Sequence, residues 1–316
     1  MQPDELDRGT LAELREALIE GQDQADTTAG VVDAALIDSY EQADLLNPAE
    51  GIAVAASPTL PARFAAAVTS AGLTVASLLA LAPLDAAPKL PLLWAAVGSA
   101  LVVGLLPRAG TLLLAIALSG VFIVADVPGW AILLWVALLP STLLLARHPS
   151  SWLLPIGAPL LGAVGLALAF PAAAGFAAGA KQRAAIAGLG FWWLALAEPV
   201  AQSRLLFGDL PLKADWAASP AGAIDLVVEM FAHGVPLVAL IWAAAAWAIP
   251  SIMASGRVAL ELLVALLWAA AVTASTVLAA GALNWPFSVP QAAVLVAGSA
   301  VAALLALAGA TLRSER

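Results

Sequence analysis

The 316-residue chain contains no cysteine. That absence removes disulfide frameworks, thiolate metal sites and thiol nucleophiles together. Histidine is nearly missing as well, with only His148 and His233, which argues against a multi-histidine metal centre. Charged residues make up 11% of the sequence, less than half the roughly 25% of soluble domains. Phosphate-binding loops, H-E-x-x-H and G-x-S-x-G are absent too. No cluster of polar residues gathers on one helix face, as an enzyme working on a membrane substrate would need. No cofactor is expected, and no enzymatic activity is indicated.

What fills the chain instead is apolar. Hydrophobic residues reach 62% and the mean hydropathy is +0.96. Apolar runs recur in blocks near the ~20 residues that cross a ~30 Å hydrocarbon core. The composition therefore predicts an all-α, polytopic transmembrane helix bundle whose main partner is the lipid bilayer. Arginine outnumbers lysine ten to three and alanine is abundant, a codon bias that points to a bacterial cell membrane.

Charge divides the chain in two. Residues 1–62 hold thirteen acidic residues against Arg8 and Arg15, whereas residues 63–316 hold nine acidic and eleven basic ones. The net charge of −9 thus belongs to an N-terminal segment, and nothing here offers the clustered basic surface that binds nucleic acid. The first residues are polar and acidic, so no cleavable signal peptide is expected. Residues 1–62 read as an acidic, partly helical cytoplasmic tail. Thr10 and Glu13 have capping-box spacing, and Leu11, Leu14 and Leu18 then share one face of a short amphipathic helix near 11–20. That stripe is a candidate docking surface for a cytoplasmic protein partner. A weaker helix over 31–46 and a Pro48–Pro61 linker follow.

From Arg63 the spacing predicts crossings at 64–83, 90–106, 109–125, 130–146, 184–201, 232–250, 258–280 and 291–311. The block 152–180 fits none of these. It is apolar for 29 residues and interrupted by Pro155, Pro159 and Pro171, too long for one crossing and too short for two. Charge counting favours a reentrant or broken hairpin. If the block enters and leaves on one side, Arg63, Arg108, Arg147, Lys181, Arg183, Arg257, Arg313 and Arg316 are cytoplasmic, against Lys89, Arg204 and Lys213 outside. A single crossing would make that split five to six. The positive-inside bias selects eight crossings plus a hairpin, with both termini cytoplasmic. The loop 202–222 and Asn284-Trp285-Pro286-Phe287 then form the outer surface.

Five polar side chains are candidates for function. Glu198, in the run Phe191-Trp192-Trp193-Leu194-Ala195-Leu196-Ala197-Glu198-Pro199, is ionisable within a predicted span. At 1.5 Å per residue it lies only ~5 Å from the helix end, close enough to reach interfacial water, with Arg204 as a partner. Pro199 equally allows a helix break there. Glu261 lies one turn inside its helix, beside Arg257, where an acid complements the dipole. Asp225, Glu229 and His233 fall at i, i+4 and i+8 and read as the polar edge of an amphipathic helix at the outer surface. Most tryptophans, including Trp94, Trp130, Trp152, Trp192, Trp193, Trp247 and Trp285, fall near predicted helix ends and read as an interfacial belt. Trp135, Trp242 and Trp268 read as packing residues. Gly175 and Gly179 have the G-x-x-x-G spacing of close helix approach.

The run Gly190–Pro199 resembles the multi-pass C-terminal membrane region of actinobacterial eukaryotic-type serine/threonine protein kinases. The stretch Arg8-Gly9-Thr10-Leu11-Ala12-Glu13-Leu14-Arg15-Glu16-Ala17-Leu18 is similar to the last helix of a kinase domain, with Gly9 where proline is usual. The chain has no glycine-rich loop, Val-Ala-Ile-Lys-like strand, His-Arg-Asp or Asp-Phe-Gly, so no catalytic residue carries over. The resemblance implies a non-enzymatic membrane anchor or sensor module lacking the catalytic domain, with a kinase domain or similar protein as partner. The alternative is a small-solute or ion permease in which Glu198 and the 152–180 hairpin line the path.

Overall fold

The computed structural model describes residues 60–82, 91–201, 205–206, 216–253, 258–282 and 289–314. The chain divides into two units, Met1–Ser57 and Pro58–Arg316, and the described residues all belong to the second. The tail helix carrying Leu11, Leu14 and Leu18, and the expected helix over 31–46, lie outside them, as do Arg204, Arg257 and residues 284–287.

Among the described residues every regular element is helical. In order they are α1 (Leu60–Leu81), α2 (Leu92–Leu105), α3 (Pro107–Val124), α4 (Pro128–Leu144), α5 (Gly157–Ala163), α6 (Phe170–Ala174), α7 (Ala180–Ala201), α8 (Pro220–Ala232), α9 (Val235–Ile252), α10 (Val258–Ala282) and α11 (Val289–Ser314). Short 3-10 turns occupy Pro149–Ser151, Leu154–Ile156 and Ala167–Ala169. By length and composition five helices can cross a membrane: α1, α3, α7, α9 and the 259–279 part of α10. The apolar helices α2, with 14 residues, and α4, with 17, are shorter.

Proline and glycine set the boundaries. Pro107, Pro128 and Pro220 sit in the first turn of their helices, where a missing N–H costs nothing. Ser219 caps α8, its Oγ accepting from the Gly222 N–H at 3.3 Å. The span expected at 232–250 corresponds to α9, and the amphipathic helix expected around Asp225, Glu229 and His233 to α8; Gly234 parts the two with a φ of +73°, a left-handed conformation that glycine adopts without a Cβ clash.

Hydrogen bonds fix how successive helices run. The Ser70 hydroxyl donates to the Ser99 carbonyl, Trp135 Nε1 donates to Ser119 Oγ, and Trp193 Nε1 donates to Ser141 Oγ. Trp242 Nε1 donates to Thr276 Oγ1, and Thr273 and Ser299 share a bond at 2.5 Å. Second contacts in the opposite order, Ala67 with Gly104, Ser151 with Gln182 and Ala245 with Trp268, make these neighbours antiparallel. The starts of α1, α3, α7 and α10 and the ends of α2, α4, α9 and α11 therefore share one end of the bundle.

The block 152–180 forms no single helix. Following the 3-10 turn Pro149–Ser151, it rises through the 3-10 turn Leu154–Ile156 and α5, turns at Gly165 with φ +75°, and returns through the 3-10 turn Ala167–Ala169 and α6. Its two ends meet, because Gln182 Nε2 donates to Ser151 Oγ at 3.0 Å. Its apex lies against the far part of α7, where a Cβ on Gly162 would stand 2.9 Å from Leu194 Cδ1. The hairpin packs on α1, α7, α9 and α11, and apart from Ala163, Val164, Phe176 and Ala178 its side chains are buried or half-buried.

Small residues allow this enclosure. Phe170, in α6, lies over Gly157 and Gly190; a Cβ at Gly157 would be 2.9 Å from its ring, and one at Gly190 would overlap it. Gly188 brings α7 against Ala239 and Ala243 of α9. In the expected G-x-x-x-G pair only Gly175 makes a tight approach, to Ile249, while Gly179 has ordinary contacts. Gly190→Ala should therefore lower the thermal unfolding midpoint in detergent, at a cost of about 1–3 kcal/mol for overpacking. Gly120→Ala, where an added Cβ meets nothing within 4 Å, should be neutral or slightly stabilising. Equal midpoints for the two variants would contradict the placement of Phe170.

Candidate functional site

Helix α7 carries the candidate acid and is the centre of the packing. Two-thirds of its apolar window is buried, 67% against 28–33% for the other four long helices. A helix apolar on all sides is stable only where all sides meet protein or lipid. Phe191, Trp192, Trp193 and Leu194 are each below a tenth exposed. Trp192 Nε1 donates to the Val136 carbonyl at 3.1 Å and Trp193 Nε1 to Ser141 Oγ at 3.2 Å. The tryptophan pair therefore fastens α7 to α4 rather than joining an interfacial belt. Trp130 and Trp152 are buried as well, and Trp152 Nε1 bonds the Leu145 carbonyl; Trp94 and Trp247 are exposed as a belt requires. Trp135, Trp242 and Trp268 are packing residues as expected, the last bonding the Ala245 carbonyl.

Glu198 lies in the last turn of α7, which continues through Pro199 to Ala201 without the break that proline permits. Its side chain is 6% exposed, so it does not reach the water expected at that depth. Oε1 accepts from the Leu206 backbone N–H at 2.6 Å, a short and direct hydrogen bond. Leu205 and Leu206 are buried in turn, and Leu205 Cβ stands 3.1 Å from where a Gly162 Cβ would be. Glu198 thus pins a segment that covers the hairpin apex. A carboxylate opposes the dipole at a helix C-terminus; the bond from Leu206 offsets that cost.

The remaining candidates fall in two places. Asp225 and Glu229 are on α8, and His233 is its C-cap. Asp225 is exposed and Glu229 half-buried. The imidazole is turned to the backbone, Nδ1–H donating to the Glu229 carbonyl at 2.8 Å, rather than joining a ligand set. Ala223, Leu226 and Met230 form the inner stripe of α8, with Ile224, Val228 and Phe231 exposed. Glu261 is buried in the first turn of α10, at the opposite end from Glu198. No group of three or more His, Asp or Glu among the described residues could hold a metal ion. The sequence reading missed Leu205 and Leu206, because what Glu198 engages there is a backbone amide that any residue could supply.

Comparison with protein-family models, with curated protein sequences and with solved structures finds no match to the chain.

Replacing the Glu198 carboxylate separates its roles. Glu198→Gln keeps an oxygen that accepts from Leu206 and should fold with little loss of stability. Glu198→Leu leaves that buried N–H unmatched, a loss of about 1–3 kcal/mol, and should unfold at lower temperature and expose residues 205–206 to protease. Equal stability of the two variants would refute the pinning role.

Proposed function

We propose that the chain is a non-enzymatic multi-pass membrane module, an anchor or sensor that holds its acidic N-terminal segment at the cytoplasmic face. The observation that carries this reading is the filled interior. Phe170 packs on Gly157 and Gly190, Leu160 on Gly72, and Leu194 and Leu205 on Gly162, while Glu198 is engaged by Leu206. The most conspicuous acid in the chain thus serves the fold. The kinase-membrane resemblance implies the same role, with a kinase domain or similar protein docking on the Leu11, Leu14 and Leu18 stripe.

Within this reading the chain crosses the bilayer eight times, with the 152–180 block entering and leaving on one side. The Ser151–Gln182 bond supports that arrangement. Charge supports it too. Arg63, Arg108, Arg147, Lys181 and Arg183 fall at one end of the bundle, Asp126, Glu198, Asp225 and Glu229 at the other. The positive-inside bias then sets the first end, and with it both termini, in the cytoplasm. At 1.5 Å per residue α2 spans only ~21 Å, so the bilayer thins there or flanking residues complete the crossing.

A permease is the second reading, favoured by helix breaks enclosed within the bundle, the arrangement on which many transporters build their sites. Here it predicts that Glu198→Gln abolishes pH-dependent solute flux in reconstituted vesicles; unchanged flux removes it.

Freedom from cysteine makes the topology directly measurable. Gln182→Cys and Arg257→Cys should both be modified by an impermeant thiol reagent only from the cytoplasmic side, and Ala217→Cys only from the other. Labelling of positions 182 and 257 from opposite sides would refute the eight-crossing count.

A further inference from the structure

At the end of the bundle where the hairpin closes, two cationic turns are fastened side by side. The turn after α4 carries Arg147 and His148, both exposed. It is held by the His148 N–H on the Leu145 carbonyl and the Ser151 N–H on the His148 carbonyl, each at 2.8 Å. Ser151 Oγ accepts from Gln182 Nε2 at 3.0 Å, which sets the exposed Lys181 beside that turn. Arg183 is spent locally, one terminal guanidinium nitrogen donating to the Ala177 and Ala178 carbonyls at 3.1 and 3.2 Å. The 3-10 turn Pro149–Ser151 also packs on α3, whose first turn presents exposed Arg108.

Beside these cations the surface is apolar. Leu143 and Leu144, in the last turn of α4, are 75% and 67% exposed, and Phe176, just before α7, is 45% exposed. A soluble polyanion would use the cations and leave this apolar surface unmatched. A ligand with a phosphate head and acyl chains matches both.

We propose that Arg147 and Lys181 form a site for the phosphate of an anionic phospholipid whose chains lie over Leu143, Leu144 and Phe176. Bridging the two turns, the headgroup clamps the mouth of the 152–180 hairpin and adds to the Ser151–Gln182 bond. Juxtamembrane basic residues attract anionic lipid generally; the site differs in joining two specific turns. The inference rests on the bilayer reading of the chain and not on its anchor role.

The test uses the full chain in phosphatidylcholine nanodiscs, with and without phosphatidylglycerol. Thermal unfolding and native mass spectrometry of retained lipid are the readouts. Phosphatidylglycerol should raise the midpoint by about 4 °C or more, as expected for a ligand well above its Kd, and remain bound in the spectrum. The double variant R147Q/K181Q should lose at least half of that rise and the retained lipid, with its midpoint in pure phosphatidylcholine unchanged. Arg313→Gln, which removes one such charge in the last turn of α11, should keep the full rise. A full rise in R147Q/K181Q overturns the site, as does an equal loss in Arg313→Gln, which would mark diffuse attraction. So does the same rise from free glycerol phosphate, which would mark a soluble anion. If the double variant does not fold, Arg147→Gln and Lys181→Gln tested singly should each lose part of the rise, and neither doing so overturns the site. A chain that fails to enter phosphatidylcholine discs at all would instead refute the bilayer reading.

Discussion

Hydrocarbon offers no hydrogen bonds, so a chain this apolar must satisfy its own backbone wherever the helical ladder stops. The segment between α4 and α7 is where that demand is greatest. Its N–H groups find carbonyls two to five residues back, as in Ile156 to Leu153, Leu166 to Leu161, Ala169 to Leu166 and Ala177 to Ala174. Side chains complete the ends: Trp152 takes the Leu145 carbonyl, and Arg183 takes those of Ala177 and Ala178. Enclosure by α1, α7, α9 and α11 then removes most of the segment from lipid, Val164 and Phe176 remaining exposed. The rest of the bundle is arranged around making that enclosure tight.

Tightness in a membrane has a different origin from that in water. Lipid tails are as apolar as leucine, so burying Phe170 or Trp242 gains little from solvent exclusion; contact and hydrogen bonding must hold the helices together. This explains why glycines recur under large side chains, and why the buried indoles of Trp192, Trp193, Trp242 and Trp268 hold partners on neighbouring helices. Trp192 and Trp193 bind α7 to α4, Trp242 binds α9 to α10, and Trp268 returns from α10 to α9. Phe191 and Trp242 meet edge to face at 5.2 Å between α7 and α9. Aromatic rings with one polar atom suit this task, since one side chain supplies both area and a directed bond.

Much of this was legible in the sequence. Proline and glycine marked most helix boundaries, and the apolar block with three prolines was readable as something other than one helix. Charge asymmetry anticipated that its ends would lie together. The environment of individual side chains was not legible. Tryptophans near helix ends resemble a belt by position, yet Trp130, Trp152, Trp192 and Trp193 are buried because other elements fold over them. Glu198 looked shallow by distance along its helix, but Leu205 and Leu206 cover it. Sequence depth measures position along one axis; burial depends on what packs from the side.

Fold and topology alike require the two ends of the 152–180 block to lie together. Spin labels placed on cysteines at positions 151 and 182 of the otherwise cysteine-free chain, in nanodiscs, measure this separation by pulsed electron resonance. The hairpin predicts a single short distance, under about 20 Å with the labels' own reach included. A block crossing the bilayer once would part the labels by about 30 Å, the thickness of the hydrocarbon core, and that distance would contradict the fold and the topology built on it.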